Sequence, residues 1–255
     1  MYLLYCIFYS NEIQTQTILA GVGGQPVFLI STNGIGSAVS EILDAHQVPD
    51  IPQVIEYKKV MESFHSDRTI IPVRYGCVLR DRSQVIELLK KNASYYKALL
   101  KELDSCVEMG IRLMIDDAEI SVADFYGNDP APGFSGKTYL AARKHHYALE
   151  DCVTKAKVKI AGQLRSALTG LFVNCRIETP SMLDRRSPML SLYFLVPGKS
   201  LAPFRRAFEH MRLRMKTTKF FLSGPWPPYN FVLPENEQHR ADLLDNDEKT
   251  GDSEP

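Results

Sequence analysis

The N-terminal run Tyr2 to Tyr9, YLLYCIFY, is apolar on both faces that alternate along a strand. That pattern predicts a central strand covered on both sides. After the Gly21-Val22-Gly23-Gly24 turn, PVFLIS predicts a second strand and IGSAVSEI a third. Val54, Tyr57, Met61 and Phe64 recur at helical spacing, and RTIIPVRYG returns to strand. Asp81 stands where an N-cap belongs. Behind it Val85, Leu88, Leu89, Tyr96, Leu99 and Leu103 share one apolar helical face. MGIRLMI predicts a further strand.

Between Asp116 and Gly136 the pattern breaks. The segment is acidic and then rich in glycine and proline, which predicts a boundary with a mobile loop over Gly127 to Gly136. A long helix is expected next, with Leu149, Val153, Ala156, Ile160, Leu164, Ala167 and Leu171 as its buried stripe. FVNCRIE and MLSLYFLV predict strands, a helix follows from about Ser200 to Met215, and KFFLS predicts the last strand. With GIRLMI ahead of them, these elements spell β-α-β-β-α-β, the split-βαβ or ferredoxin-like order.

The class expected is therefore α+β: two domains of mixed, largely antiparallel sheet covered by helices, the second ferredoxin-like. The boundaries read from the sequence are an N-terminal domain over 1–116, a linker and mobile loop over 117–136, a C-terminal domain over 137–234 and an acidic, disordered tail over 235–255. SGPWPPYNFV closes the second domain. Pro225, Pro227 and Pro228 cannot donate to a sheet, so the strand is expected to end at Gly224. Each proline also holds its predecessor extended, so Trp226 belongs to a stiff arm that folds back, with YNFV resuming extended structure.

Composition narrows the function classes. Hydrophobic residues make up 45% and charged residues 24% of 255, as in a packed protein. The formal net charge is zero but uneven: residues 235–255 hold eight acidic residues against two basic ones, a net of −6. The body is correspondingly basic, yet too mildly and diffusely for a nucleic-acid surface. No apolar run approaches the length of a membrane span, and MYLLYCIFYS lacks a basic n-region and a cleavage site. Five cysteines without a CxxC predict buried free thiols in a reducing, intracellular compartment.

Candidate chemistry stops short of a site. Gly136-Lys137-Thr138 opens a helix as in a phosphate-binding loop, but Ala131 stands where that motif needs glycine. Gly133-Phe134-Ser135-Gly136 approaches the nucleophile elbow, with Lys137 at its last position. GVGGQP would need glycine at Pro26. Asp116, Asp117 and Glu119 fit a solvated turn better than an acid/base pair. His145 and His146 are adjacent on a helix and cannot share a metal as an i, i+4 pair does. No catalytic, cofactor-binding or metal site is expected. Lys155 and Lys159, one helical turn apart, form a flank that could dock an acidic segment, the chain's own tail or a partner's. Phe134, with Phe125 and Tyr126, sits in the Gly/Pro loop as a candidate partner contact or a filler of the interdomain seam. A binding or assembly protein is the reading that remains; a nucleotide-dependent assembly factor using Gly136-Lys137-Thr138 is the alternative.

The motifs also resemble a family. Ile71-Pro72-Val73-Arg74-Tyr75-Gly76, behind the helix VIEYKKVMESF, is similar to the Leu/Ile-Pro-x-Arg-Phe/Tyr-Gly signature of the gas vesicle protein L/F family. The opening Tyr2-Leu3-Leu4-Tyr5-Cys6-Ile7, the GVGGQPV turn, Ser135-Gly136-Lys137-Thr138-Tyr139-Leu140 and the closing Ser223-to-Val232 stretch resemble that family in order and spacing. Members often carry histidine in the helix before the signature, where this chain has Lys58-Lys59. The resemblance implies a non-enzymatic accessory protein of gas vesicles: a minor shell component or assembly factor inside a prokaryotic cell. The implied partners are the major hydrophobic shell protein and other accessory proteins, not nucleic acid or a lipid membrane. It marks Pro72, Arg74, Tyr75, Gly76, Gly224, Pro225, Trp226, Pro227, Pro228 and Tyr229 as signature positions, mainly structural and candidates for partner contact.

Overall fold

The computed structural model describes residues 1–10, 19–43, 50–114, 154–178, 189–215 and 218–232. They fall into two compact units, Met1–Glu108 together with the segment from Pro225, and Met109–Gly224. The unit boundary lies inside two strands, so the chain leaves the first unit through one and returns through the other.

The first unit is built on β1 (Tyr2–Tyr9), whose Leu3 to Phe8 are all buried. β2 (Val27–Thr32) and β3 (Ile35–Glu41) form a hairpin around Asn33-Gly34. The sheet order is β2-β3-β1-β4, where β4 is Ile70–Pro72, and β5 (Val78–Leu79) also pairs with β1. Each of these pairings is antiparallel. An apolar strand at the centre of a sheet is thus where the two-sided pattern of Tyr2 to Tyr9 leads.

α1 (Ile51–Asp67) starts at Asp50, whose carboxylate accepts from the Gln53 amide at 2.9 Å. It buries Tyr57, Val60 and Met61 against Leu3, Tyr5, Cys6, Phe8 and Ile70. Burial of each such side chain contributes about 1.5–3 kcal/mol. Phe64 stacks on Phe8 with centroids 5.6 Å apart. Val54, expected on this face, is exposed instead, one turn from the start of the helix and two turns before buried Met61.

Asp81 caps α2 (Arg82–Lys91) as expected, accepting from Gln84 N at 2.8 Å. The helical face read through to Leu103 is divided between α2 and α3 (Ala93–Glu102). The break falls at Asn92, whose backbone leaves helical geometry and whose side-chain amide donates to Leu88 O at 3.0 Å. Asparagine competes with a helix in this way because its side chain bonds the nearby backbone.

The second unit follows the order β6 (Cys106–Met114), α4 (residues 154–167), β7 (Asn174–Ile177), β8 (Met189–Pro197), α5 (Leu201–Arg214) and β9 (Lys219–Trp226). The sheet order β7-β8-β6-β9 places the first strand between the third and fourth, an interleaving compatible with the split-βαβ arrangement. Leu190, Leu192, Phe194 and Val196 alternate along β8 and are buried. Phe194 meets Phe172, beyond α4, at 5.1 Å and Phe204 of α5 at 5.5 Å, so both helical connections reach one face of the sheet.

Three sequence expectations are corrected here. Ile160 and Leu164 are buried on α4, but with Ala161 and Leu168, while Ala167 is exposed. β9 does not stop at Gly224; it runs on through Pro225 to Trp226. β9 is an edge strand, where a residue without an N–H leaves no ladder bond unmade. Nor does YNFV extend: Tyr229–Phe231 close into a 3-10 turn.

Candidate interaction site at the signature loop and tryptophan arm

The site begins with an irregularity in β1. The register against β3 shifts between Leu4 and Cys6, so Tyr5 is a bulged residue without a partner of its own. A bulge bends the strand and re-aims a side chain. The Tyr5 ring stacks on Tyr57 at 4.9 Å, and its hydroxyl lies 2.6 Å from Ser40 Oγ while accepting from Val22 N at 3.0 Å. The chain at Gly21 passes so close that a Cβ there would collide with the Tyr5 hydroxyl. Glycine in the GVGG turn is thus required by close approach as well as by turning.

On the other edge of β1, β4 pairs up to Pro72 opposite Cys6, and β5 resumes at Val78 opposite Leu3. Val73 N still donates to Tyr5 O, and Leu4 N donates to Cys77 O, each at 3.0 Å. Between those anchors the chain loops out, and this loop is the Arg74-Tyr75-Gly76 signature. Cys77 N closes it onto Arg74 O at 3.3 Å. Gly76 sits at φ 90, a conformation that side-chain-bearing residues rarely adopt.

Tyr57 ties loop, bulge and helix together. Its hydroxyl lies 2.7 Å from Val73 O, 2.9 Å from Leu4 O and 3.2 Å from Tyr5 O. Burial pushes its phenol pKa far up, so the hydroxyl stays a donor throughout the physiological range. Tyr75 meets Tyr57 edge-to-face at 5.0 Å and donates to Gln53 Oε1 at 3.1 Å. Arg74 by contrast is exposed, and its guanidinium has no hydrogen bond or ion pair among the described residues. Pro72 is buried, Tyr75 half-buried and Gly76 exposed.

The tryptophan arm reaches the same helix. Trp226 is half-buried with Lys58 Nζ 4.8 Å from its ring centroid, a cation–π contact. Lys58 also pairs with Glu62 at 3.3 Å. Lys58 therefore links α1 to the arm. Pro225 is exposed, Pro227 and Pro228 are buried, and Tyr229 packs against the core around β1 and α1. Burial pushes the Tyr229 phenol up to about 12, with the charges of Cys6, Glu108 and Glu62 adding to the shift. The turn is clasped by Glu108, which is 4% exposed. Its carboxylate accepts from Asn230 N at 2.8 Å and from Asn230 Nδ2 at 2.7 Å. Tyr95 Oη donates to Val232 O at 3.2 Å.

Beside Lys58, α1 shows solvent an apolar stripe. Ile51, Val54 and Ile55 are exposed, Ile51 by 77%. At 100° per residue Ile51 and Ile55 lie about 80° or more from Tyr57, Val60 and Met61, while Val54, about 20° from Met61, borders the buried arc. The stripe was missed in the sequence because Val54 was assigned inward; Ile51 and Ile55, four residues apart, were its signal.

Tyr75, Trp226 and Tyr229 of the two stretches thus meet α1 within the first unit, while Gly224 lies on β9 in the second. Lys155 and Lys159 are exposed on α4 of the second unit and take no part in this cluster. Phe134 and Gly136-Lys137-Thr138 lie outside the described residues, as do Asp116, Asp117, Glu119, His145 and His146. Among the described residues no group of three or more His, Cys, Asp or Glu side chains could hold a metal ion, and no helix is long and apolar enough to cross a membrane.

Residues 1–233 match the family described as "Gas vesicle synthesis protein GvpL/GvpF". The chain is 24% identical to gas vesicle protein L1 of Halobacterium salinarum, over 90% of this chain and 89% of that protein. It is 21% identical to gas vesicle protein F of a Streptomyces species, over 90% and 98%. Its fold is that of crystal structures of GvpF: from an Anabaena species with TM-score 0.74 at 20% identity, covering 92% of this chain and 96% of that one; and from Microcystis aeruginosa with TM-score 0.74 at 19% identity, covering 91% and 99%. A signature loop seated on a strand bulge, a proline arm clasped to the same helix and a match over nearly the whole length lead to one conclusion: the chain belongs to the GvpL/GvpF family of gas vesicle synthesis proteins.

Proposed function

We propose that this protein is a non-enzymatic accessory factor, minor shell component or assembly factor, that binds the major hydrophobic shell protein during gas vesicle formation inside the cell. Other accessory proteins would be its further partners. Family membership supports a role in gas vesicle formation. The observation that carries the finer reading is the stripe of Ile51, Val54 and Ile55, exposed on the helix whose Lys58 lies against Trp226. An apolar subunit that has not yet polymerised presents hydrophobic surface needing cover, and an apolar helical stripe bordered by cations offers it.

Capture of purified shell protein by the wild-type chain and by Ile51→Asp/Ile55→Asp tests this. Both side chains face solvent, so the substitutions leave the core around Tyr57 untouched. Capture is expected to fall at least about tenfold, as for hot-spot apolar contacts worth 1.4 kcal/mol or more. Undiminished capture by a folded double variant would remove the stripe from the interface.

A further inference from the structure

The two edges of the second unit's four-stranded sheet differ. β9 carries Lys219 and Pro225, a cation and a residue without an N–H, both of which discourage a further strand. β7 forms the opposite edge, has neither lysine nor proline, and pairs among the described residues with β8 alone. Just past its end, Glu178 N donates to Ser191 O at 3.0 Å. Alternation along an antiparallel pair then turns the N–H and C=O of Arg176 toward β8 and those of Cys175 and Ile177 outward. Ile177 is also 43% exposed.

Such an edge is a template for an antiparallel strand, and a second copy of the same edge supplies one around a twofold axis. The side chains choose among the registers. Cys175 opposite Ile177 would set Arg176 against its own counterpart, like charges directly opposed. Cys175 opposite its counterpart would need the Cys175 N–H, which already donates to Asn174 Oδ1 at 2.8 Å. Ile177 opposite its counterpart meets neither obstacle. The two outward-facing Ile177 backbones then exchange both N–H···O bonds, and Arg176 of each copy stands opposite Glu178 of the other. Arg176 and Glu178 share the sheet face of Tyr193 and Ser191, their neighbours across β8. Glu178 Oε2 accepts from Tyr193 Oη at 3.1 Å, which holds the carboxylate on that face, and an ionised carboxylate can accept an arginine as well. The Ile177 side chains meet on the other face, where Leu192 and Phe194 are buried, so the apolar layer continues across the axis.

We infer that the outer edge of β7 pairs with the same edge of a second copy of this chain, Ile177 opposite Ile177, joining two four-stranded sheets into one. The occupant follows from charge complementarity: Arg176 and Glu178, two residues apart, make the edge complementary to itself in this register. The inference goes beyond the shell-protein reading and does not depend on it. It concerns the second unit and is read from the mass of the purified chain, whereas the stripe on α1 lies in the first unit and is read from capture of shell protein.

Sedimentation equilibrium of the full-length protein over a concentration series tests this: the mass should rise from 28.8 kDa toward twice that value. Ile177→Pro removes an outward N–H and no bond to β8, so it should keep the far-UV spectrum and leave the chain monomeric. Glu178→Lys sets like charges opposite one another twice and should weaken association at least about tenfold. Arg176→Glu/Glu178→Lys restores opposite charges across the axis, and association should return although Tyr193 has lost its carboxylate partner at 178. Ile177→Cys should form an intermolecular disulfide under mild oxidation where wild type does not, because the Cα atoms of such a pair lie about 5.5 Å apart. A wild-type chain that stays monomeric throughout the series would overturn the inference. So would a dimer indifferent to both Ile177→Pro and Glu178→Lys, since its contact would lie elsewhere.

Discussion

Tyr57 shows how much one side chain can organise. Its ring fills the space between Tyr5 and Tyr75, and its hydroxyl serves carbonyls of both β1 and the signature loop. Tyr57→Phe keeps the ring and removes the hydroxyl that donates from α1 to Val73 O at 2.7 Å. A buried acceptor left without its donor costs about 1–3 kcal/mol, so the urea midpoint should fall by a corresponding amount. A midpoint unchanged from wild type would mean that water or the backbone replaces the hydroxyl at no cost. Position 57 was legible as a core position from its helical spacing with Met61 and Phe64. The hydroxyl's role was not, because its partners are 16 and 53 residues away.

At the scale of elements, the proline arm is held by a carboxylate that sequence gives no reason to single out. Glu108 lies in β6 among apolar residues, and 122 residues separate it from Asn230. Each of its two bonds to Asn230 is charge-assisted, the class worth about 1.5–3 kcal/mol. Asn230→Ala removes the Nδ2 donor and is expected to cost stability in that range while loosening the 3-10 turn. Trp226 is the only tryptophan, so its emission reports the arm directly. A red shift, as the ring leaves Lys58 for water, is the expected result; an unshifted spectrum would show the turn is held by its prolines alone. The prolines themselves act differently from the sequence expectation. Pro225 ends no strand, because an edge position asks nothing of its missing N–H.

At the scale of the molecule, the first unit is discontinuous in sequence. Pro225 and the residues after it group with Met1–Glu108, although 116 residues of the second unit intervene, from Met109 to Gly224. Tyr229 packs on the β1–α1 core and Phe231 is itself buried. A chain ended at Gly224 would therefore lose aromatic packing from the first unit while leaving its first 108 residues intact. Removal of a buried large aromatic costs about 3–5 kcal/mol, and amide protection in β1 and α1 should drop accordingly. Protection equal to that of the full chain would show that the first unit is complete without its C-terminal return.

Local pattern alone determined most of the elements. The two-sided apolar run of Tyr2 to Tyr9 could only be a central strand, Asp81 capped the helix it was expected to cap, and the strand–helix order of the second half carried the α+β class. The signature motifs likewise marked the family before any coordinate did. Tertiary structure decided what those motifs are for. It turned Arg74-Tyr75-Gly76 into an excursion over the Tyr5 bulge, set Lys58 over Trp226, clasped Asn230 to Glu108 and put β7 at the edge of its sheet. Periodicity encodes which way a residue faces its own element. It does not encode which distant residue will be there to meet it.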